Sequence, residues 1–164
     1  MKKLLLPVAL AFTTLAGAQA FHGKGDTKLQ IGFNGQDNAN GITGTVDFGL
    51  GKNLSYGFSA TYLLGADDIA GEKPDFGDRA DLKVRLNANI GDVIGIGEKV
   101  DVYPGLNLGL RNFGGHVGAR YFFTEGFGIY SEVLFPFARY DSSVHGFDHY
   151  NNQFTFQIGA SFDL

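Results

Sequence analysis

Residues 79–90 read RADLKVRLNANI, so a polar side chain alternates with an apolar one at every position. The apolar set includes Ala80, Val84 and Ile90, while the polar set includes Arg85 and Asn87. A period of two residues is that of a β-strand, whose successive side chains point to opposite faces. The stretch therefore predicts a strand with one apolar face and one polar face.

The same alternation recurs along most of the chain. Eight segments carry it: 27–36, 42–50, 54–64, 79–90, 100–111, 116–123, 127–139 and 153–164. Their apolar faces hold no charged residue, and Pro104 and Pro136 are each expected at a bulge or a strand end. This pattern predicts an all-β fold, an eight-stranded antiparallel up-and-down transmembrane β-barrel.

Side-chain size indicates which face points outward. The apolar face carries much of the 16 Phe and 7 Tyr, whereas many of the 25 Gly, such as Gly57, Gly118 and Gly159, fall on the polar face. Eight strands enclose an interior only just wide enough for side chains, so the bulky face must lie outside. The alternative is a soluble periplasmic barrel that binds a ligand in an apolar interior.

The first twenty residues are predicted to be a secretory signal peptide. Lys2 and Lys3 precede an apolar stretch, and Ala18-Gln19-Ala20 supplies a small-x-small cleavage pattern, with cleavage expected after Ala20. Residues 21–164 then form the barrel domain. The net charge of −4 and the absence of a basic patch argue against a nucleic-acid partner, and the chain has no Cys to form disulfides or thiolate metal sites.

Connection lengths orient the predicted barrel. With both termini in the periplasm, the periplasmic turns are 51–53, 91–99 and 124–126. The external connections are then 37–41, 65–78, 112–115 and 141–152. Longer external loops and shorter periplasmic turns are typical of outer-membrane barrels.

The polar faces carry charges of both signs in near balance. A buried charge is costly unless it is paired, so these residues are expected to form an ion-pair network in the lumen and to leave no open pore. The predicted network comprises Lys28, Asp47, Asp81, Lys83, Arg85, Asp101, Arg111, Arg120 and Glu132, and Arg79 and Asp163 fall on the same faces.

Histidines offer no recognisable catalytic set. His145 and His149 share the last external loop with Asp148, but no metal site, cofactor or hydrolase arrangement follows from their spacing. His22 is expected in a disordered tail, and His116 is interpreted as incidental at the start of its strand. The sequence therefore predicts neither an enzyme nor a metal protein.

The final residues, QIGASFDL, carry a resemblance to a known family. Gln157, Gly159, Phe162 and Leu164 match the polar-x-Gly-x-x-aromatic-x-apolar signal read by the barrel-assembly machinery, with Leu where Phe is commonest. With the signal peptide and eight strands, the chain resembles small outer-membrane barrels of Gram-negative bacteria, the OmpX and OmpA-transmembrane type. It is also similar to short barrel families without an assigned function.

The resemblance implies an outer-membrane location and a structural or interaction role. Expected partners are outer-membrane lipid and lipopolysaccharide, the barrel-assembly machinery during biogenesis, and other outer-membrane proteins. Because some barrels of this kind act on lipid A, an outer-leaflet lipid-modifying enzyme is the alternative.

Overall fold

The computed structural model describes residues 19–69, 71–140 and 146–164, so most of the predicted signal peptide lies outside it. Within these residues the chain forms the strands β1 (Thr27–Gln36), β2 (Ala39–Gly49), β3 (Leu54–Ala66), β4 (Ala80–Ala88), β5 (Val100–Gly109), β6 (Asn112–Phe122), β7 (Phe127–Arg139) and β8 (Thr155–Asp163). The connections contain the short helices α1 (Phe76–Arg79) and α2 (Gly91–Ile94) and a 3-10 turn at Gly146–His149. No helix in the described part of the chain has the length and apolar character needed to cross a membrane.

The strands close into a barrel. Each strand pairs antiparallel with the next in the chain, and β8 pairs back with β1, for example at Ala160 opposite Ile31. The predicted eight-stranded up-and-down barrel is therefore confirmed. We call the end that holds the β2–β3, β4–β5 and β6–β7 connections the lower end, and the opposite end the upper end.

The two faces of the sheet have the predicted orientation. Side chains on the apolar face point outward, and Leu82 at 58% and Ile31 at 54% exposure are typical of them. Polar side chains such as Gln30, Asn107 and Glu132 are buried inside. The polar interior is the opposite of what a barrel built to hold an apolar ligand requires.

Two strands, β6 and β2, begin earlier than the alternation predicted. β6 begins at Asn112, so the predicted external loop 112–115 is strand and the β5–β6 turn shrinks to residues 110–111. The glycines of the stretch 112–115 suggested a turn. In the structure Gly115 lies in the strand, where an added side chain would collide with the rings of Phe135 and Phe137 on β7. β2 begins at Ala39, because Asn38 adopts the left-handed conformation (φ 57°) that a two-residue turn needs.

Both strand prolines lie where strand pairing is interrupted. Pairing of β5 with β4 reaches down only to Gly105, so Pro104 needs no N–H donor on that side. Pro136 lies next to the register shift at Phe113 and beyond the last β7–β8 pair, Leu134 with Thr155. The expected bulge is confirmed at Pro136, whereas Pro104 lies inside β5, at neither a bulge nor a strand end, where the pairing with β4 stops.

Candidate functional site

One arginine and two carboxylates hold the centre of the barrel. Arg85 on β4 donates two hydrogen bonds to Glu132 on β7, 3.1 Å from Nη1 to Oε1 and 2.6 Å from Nη2 to Oε2. Its Nε lies 3.2 Å from Oδ1 of Asp47 on β2, and all three side chains are buried. Two strands separate β4 from β7 in the sheet, so this two-point ion pair bridges the interior.

Tyr103 on β5 lies between two arginines. Its ring centroid is 5.7 Å from Cζ of Arg85 and 4.8 Å from Cζ of Arg120, and its hydroxyl accepts a hydrogen bond from Gln30 Nε2 at 3.1 Å. Gly118 lies directly opposite on β6, where an added Cβ would overlap the tyrosine ring. Tyr103 therefore fits inside the lumen because Gly118 has no side chain.

A second ion pair lies toward the lower end. Arg120 Nη2 on β6 donates to Asp101 Oδ2 on β5 at 2.8 Å and to Asn89 Oδ1 at 2.9 Å. Asn89 Nδ2 in turn donates to the hydroxyl of Ser55 on β3 at 3.0 Å. These contacts link side chains of β6, β5 and β3 through Asn89, and all four side chains are buried.

His116 lies in the middle of the network, which corrects its interpretation as incidental. Its Nε2 is 2.7 Å from Oδ1 of Asn87, which also accepts from Arg85 Nε at 3.2 Å. Its Nδ1 is 3.4 Å from Nδ2 of Asn107. These partners fit a neutral imidazole with its proton on Nε2. A Cβ at Gly105 would meet the imidazole, so a glycine again makes room for a large polar ring.

Lys28 is buried near the lower end, between two carboxylates. Its Nζ lies 2.7 Å from Asp26 Oδ1 and 2.8 Å from Asp163 Oδ1. The second oxygen of Asp163 lies 3.2 Å from His22 Nε2. His22 therefore belongs to an ordered segment, and the expectation of a disordered tail is wrong.

The N-terminal segment covers the lower end of the barrel. Ala20 packs against Phe122, and its N–H donates to Glu98 O at 2.6 Å. The ring of Phe21 lies 5.8 Å from the guanidinium of Arg120. The segment lacks the strand period, so alternation gave no sign of this contact.

Lys83 and Asp81 form an ion pair toward the upper end. Both lie on β4, 2.5 Å apart from Nζ to Oδ2, and the N–H of Leu110 donates to Asp81 Oδ1 at 3.3 Å. The hydrogen bond from Leu110 to Asp81 joins the upper end of β4 to the β5–β6 turn. It lies above the last β4–β5 backbone pair, Lys83 with Gly109.

Two arginines predicted on the inner faces lie at the upper rim instead. Arg111 occupies the β5–β6 turn, where Nη2 donates to Gly77 O at 2.7 Å and lies 3.9 Å from Asp78 Oδ1. Arg79 ends α1, and its Nε donates to Pro74 O at 3.1 Å. The placement of Arg111 in the lumen is therefore corrected, because β5 ends at Gly109 and its alternation does not extend to residue 111.

The described part of the β7–β8 connection covers the upper end. Tyr150 is buried against Leu63 and Ala39, and its hydroxyl donates to Asp67 O at 2.8 Å. Burial raises the pKa of this phenol, with the negative charge of Asp67 adding to the effect. Asn112 Nδ2 at the top of β6 donates to Asn151 O at 3.0 Å. The interior is thus covered at both ends.

The four residues of the predicted assembly signal lie on β8 and just after it. Gln157 points inward and donates to Asn34 Oδ1 at 3.0 Å, and Gly159 lies opposite Gly32 on β1. Phe162 packs against Phe127 with ring centroids 5.7 Å apart, and the N–H of Leu164 donates to Thr27 O. Recognition by the assembly machinery stays a prediction.

In the β7–β8 connection, His149 lies against an aromatic neighbour. The ring of His149 lies 4.2 Å from that of Tyr150, while Asp148 lies 3.9 Å from Arg111 Nη1. His145 lies outside the described residues. Among those that are described, no group of three or more His, Asp or Glu side chains could hold a metal ion.

Sequence reasoning missed several members of the interior network. Tyr103, His116 and Asn87 all fall at polar-face positions of their strands, so the alternation that placed Arg85 also placed them. Their side chains are uncharged, so the balance of charges that predicted the network did not include them. Asp26 precedes β1, and no periodic signal marks it.

The fold and its interior define a class: a closed antiparallel barrel with an apolar exterior and a polar, ion-paired interior. The model of one protein family matches residues 11–164 of the chain. The chain therefore belongs to that family, the Family of unknown function (DUF6646). No curated protein matches the sequence.

The solved structures that are similar to the chain include an outer-membrane protein. The solution NMR structure of Outer Membrane Protein G from Pseudomonas aeruginosa shares 11% sequence identity with it and has a TM-score of 0.46. The match covers 88% of this chain and 99% of that one. Similarity at this level carries no information about the function of this protein.

Removing the central arginine should be far more costly than removing an arginine at the rim. Arg85→Met leaves Glu132 and Asp47 buried without their partner, so we expect the free energy of unfolding to fall by about 3–5 kcal/mol. Arg111→Met removes a partly exposed charge and should cost less than about 1 kcal/mol. Urea unfolding in detergent or lipid measures both.

The double variant Arg85→Met with Glu132→Gln checks the mechanism. Neutralising Glu132 removes one of the two unpaired charges, so the double variant should recover part of the lost stability. Equal costs for Arg85→Met and Arg111→Met would contradict the central role of the Arg85 ion pair.

Proposed function

We propose that the protein is a small, non-conducting outer-membrane barrel with a structural or interaction role, exercised through the surface it presents at the membrane. The observation that carries the proposal is the apolar exterior, which runs around the whole barrel and encloses an interior filled by paired polar side chains. The same surface argues against the soluble periplasmic alternative.

The apolar belt supports membrane insertion. Every strand contributes large exposed apolar side chains: Ile31 and Phe33, Ile42, Phe58, Leu82 and Val84, Leu106 and Leu108, Val117, Ile129, and Phe156 and Ile158. Soluble monomers rarely expose a contiguous apolar patch larger than a few hundred Å². Strands of 9–13 residues are also long enough to cross a bilayer when tilted.

Aromatic side chains gather near both ends of this belt. Toward the lower end, Phe127 contacts both Phe123 and Phe162, with ring centroids 6.1 and 5.7 Å apart. Toward the upper end, Tyr62 packs against Phe76 of α1 at 5.3 Å. Two aromatic girdles that flank an aliphatic band are typical of outer-membrane barrels.

The filled interior supports a role other than transport. The ion pairs of Arg85 and Arg120 and the ring of Tyr103 occupy the middle of the lumen. The N-terminal segment and the β7–β8 connection cover its two ends. A small solute would have to break several buried ion pairs to pass.

The remaining features fit export and contact with the envelope. We propose that the chain reaches the outer membrane through a cleaved signal peptide and the barrel-assembly machinery, and there contacts lipid, lipopolysaccharide and other outer-membrane proteins. We propose no catalytic activity and no cofactor. The upper connections, which include α1 with Phe76 at 72% exposure, are the surface best suited to such contacts.

Membrane insertion can be tested with a single introduced tryptophan, because the chain has none. Phe58→Trp places the indole in the outward belt of β3, whereas Lys52→Trp places it in an exposed turn at the lower end. In vesicles with brominated acyl chains we expect strong quenching of the Phe58→Trp emission and weak quenching of the Lys52→Trp emission. An unquenched Phe58→Trp would contradict insertion.

The interaction role can be tested by cross-linking from introduced cysteines, because the chain has none of its own. Asp68→Cys lies in an exposed upper connection, and Lys52→Cys is its matched control at the lower end. In native membranes we expect a heterobifunctional reagent, a maleimide joined to an ester that reacts with amines, to link the introduced thiol to neighbouring lysine amines and give discrete larger adducts with Asp68→Cys only.

Two outcomes would contradict the interaction role. One is the absence of adducts at Asp68→Cys, or equal adducts at both positions. The other is a change in the mass spectrum of lipid A when the gene is deleted, which would favour the outer-leaflet enzyme.

A further inference from the structure

The first described residues are an integral part of the barrel. Ala20 is only 1% exposed, packs against Phe122 of β6, and donates its N–H to Glu98 O at 2.6 Å. Glu98 lies in the connection between β4 and β5. Ala20 therefore joins two neighbouring parts of the lower end through one apolar contact and one hydrogen bond.

Cleavage after Ala20 would remove both of these contacts. It would also make Phe21 the first residue and give its nitrogen a positive charge, although Phe21 is 7% exposed and its ring lies 5.8 Å from the Arg120 guanidinium. A charge on a buried residue is costly unless a partner neutralises it. The Arg120 guanidinium has the same sign, and the Asp26 carboxylate, which accepts from His22 N at 2.6 Å, is already paired with Lys28. The folded lower end thus favours a chain that still contains Ala20.

The sequence offers two overlapping cleavage patterns. Ala18-Gln19-Ala20 directs cleavage after Ala20, whereas Ala16-Gly17-Ala18 directs cleavage after Ala18. Small residues occupy both critical positions in each pattern, so the sequence does not distinguish the two cleavage sites. The burial of Ala20 favours cleavage after Ala18, because that cleavage leaves Ala20 in the mature chain.

We propose that the signal peptidase cleaves between Ala18 and Gln19, so that the mature protein begins at Gln19. Water hydrolyses this peptide bond, which leaves a carboxylate on Ala18 and a free amine on Gln19. Gln19 is half-buried, so the new terminus lies at the edge of the lower end with Ala20 still seated against Phe122. The proposal requires export but does not depend on the role of the upper loops.

Mass spectrometry of the protein purified from membranes tests the proposal. We expect the N-terminal peptide to begin at Gln19, either as the free amine or as the lactam formed when that amine attacks its own carboxamide and releases ammonia. A peptide that begins at Phe21, or a chain that retains residues 1–18, would overturn the proposal.

Two matched variants separate the overlapping patterns. Ala16→Leu disrupts only the pattern that ends at Ala18, so precursor should accumulate or cleavage should shift to Phe21. Ala20→Leu disrupts only the other pattern, so cleavage before Gln19 should continue. The reverse response would overturn the proposal, and because the readout is the mass of the chain, a folding defect in Ala20→Leu cannot hide it.

Discussion

Eight strands enclose a space that side chains alone can fill, and every charge placed there must find its partner there. This constraint explains why Arg85 meets Glu132 and Asp47, why Arg120 meets Asp101, and why Lys28 lies between Asp26 and Asp163. It also explains the glycines of the inner face. Tyr103 and His116 fit because Gly118 and Gly105 lie against their rings.

The alternation of side chains was sufficient to predict the strands and their faces. A period of two assigns each residue of a strand to one side, so the polar interior and apolar exterior follow from local sequence. Partners within the interior do not follow in this way. Arg85 meets Glu132 because the registers of the intervening strand pairs set their relative heights and because both side chains are long enough to meet. The sequence of β4 alone gives no information about those registers. Arg111 was misplaced because the strand period ends before it.

The segments that cover the two ends of the barrel could not be predicted from the sequence, for a different reason. The segment around Phe21 and the turn that carries Tyr150 have no periodic pattern, and their positions depend on contacts with distant residues such as Phe122 and Leu63. These segments nevertheless decide a functional question, because they cover both ends of the lumen. With the interior filled and covered, the surfaces left for function are the outward apolar belt and the exposed connections.

We propose that the interior is a packed structural core and that no solute passes through it. The current across a planar lipid bilayer that contains the folded protein measures such passage. We predict no unitary current steps in concentrated potassium chloride, even at high protein density. Reproducible current steps of a single size would mean that an open path runs through the barrel, and the interior would then not be a packed core.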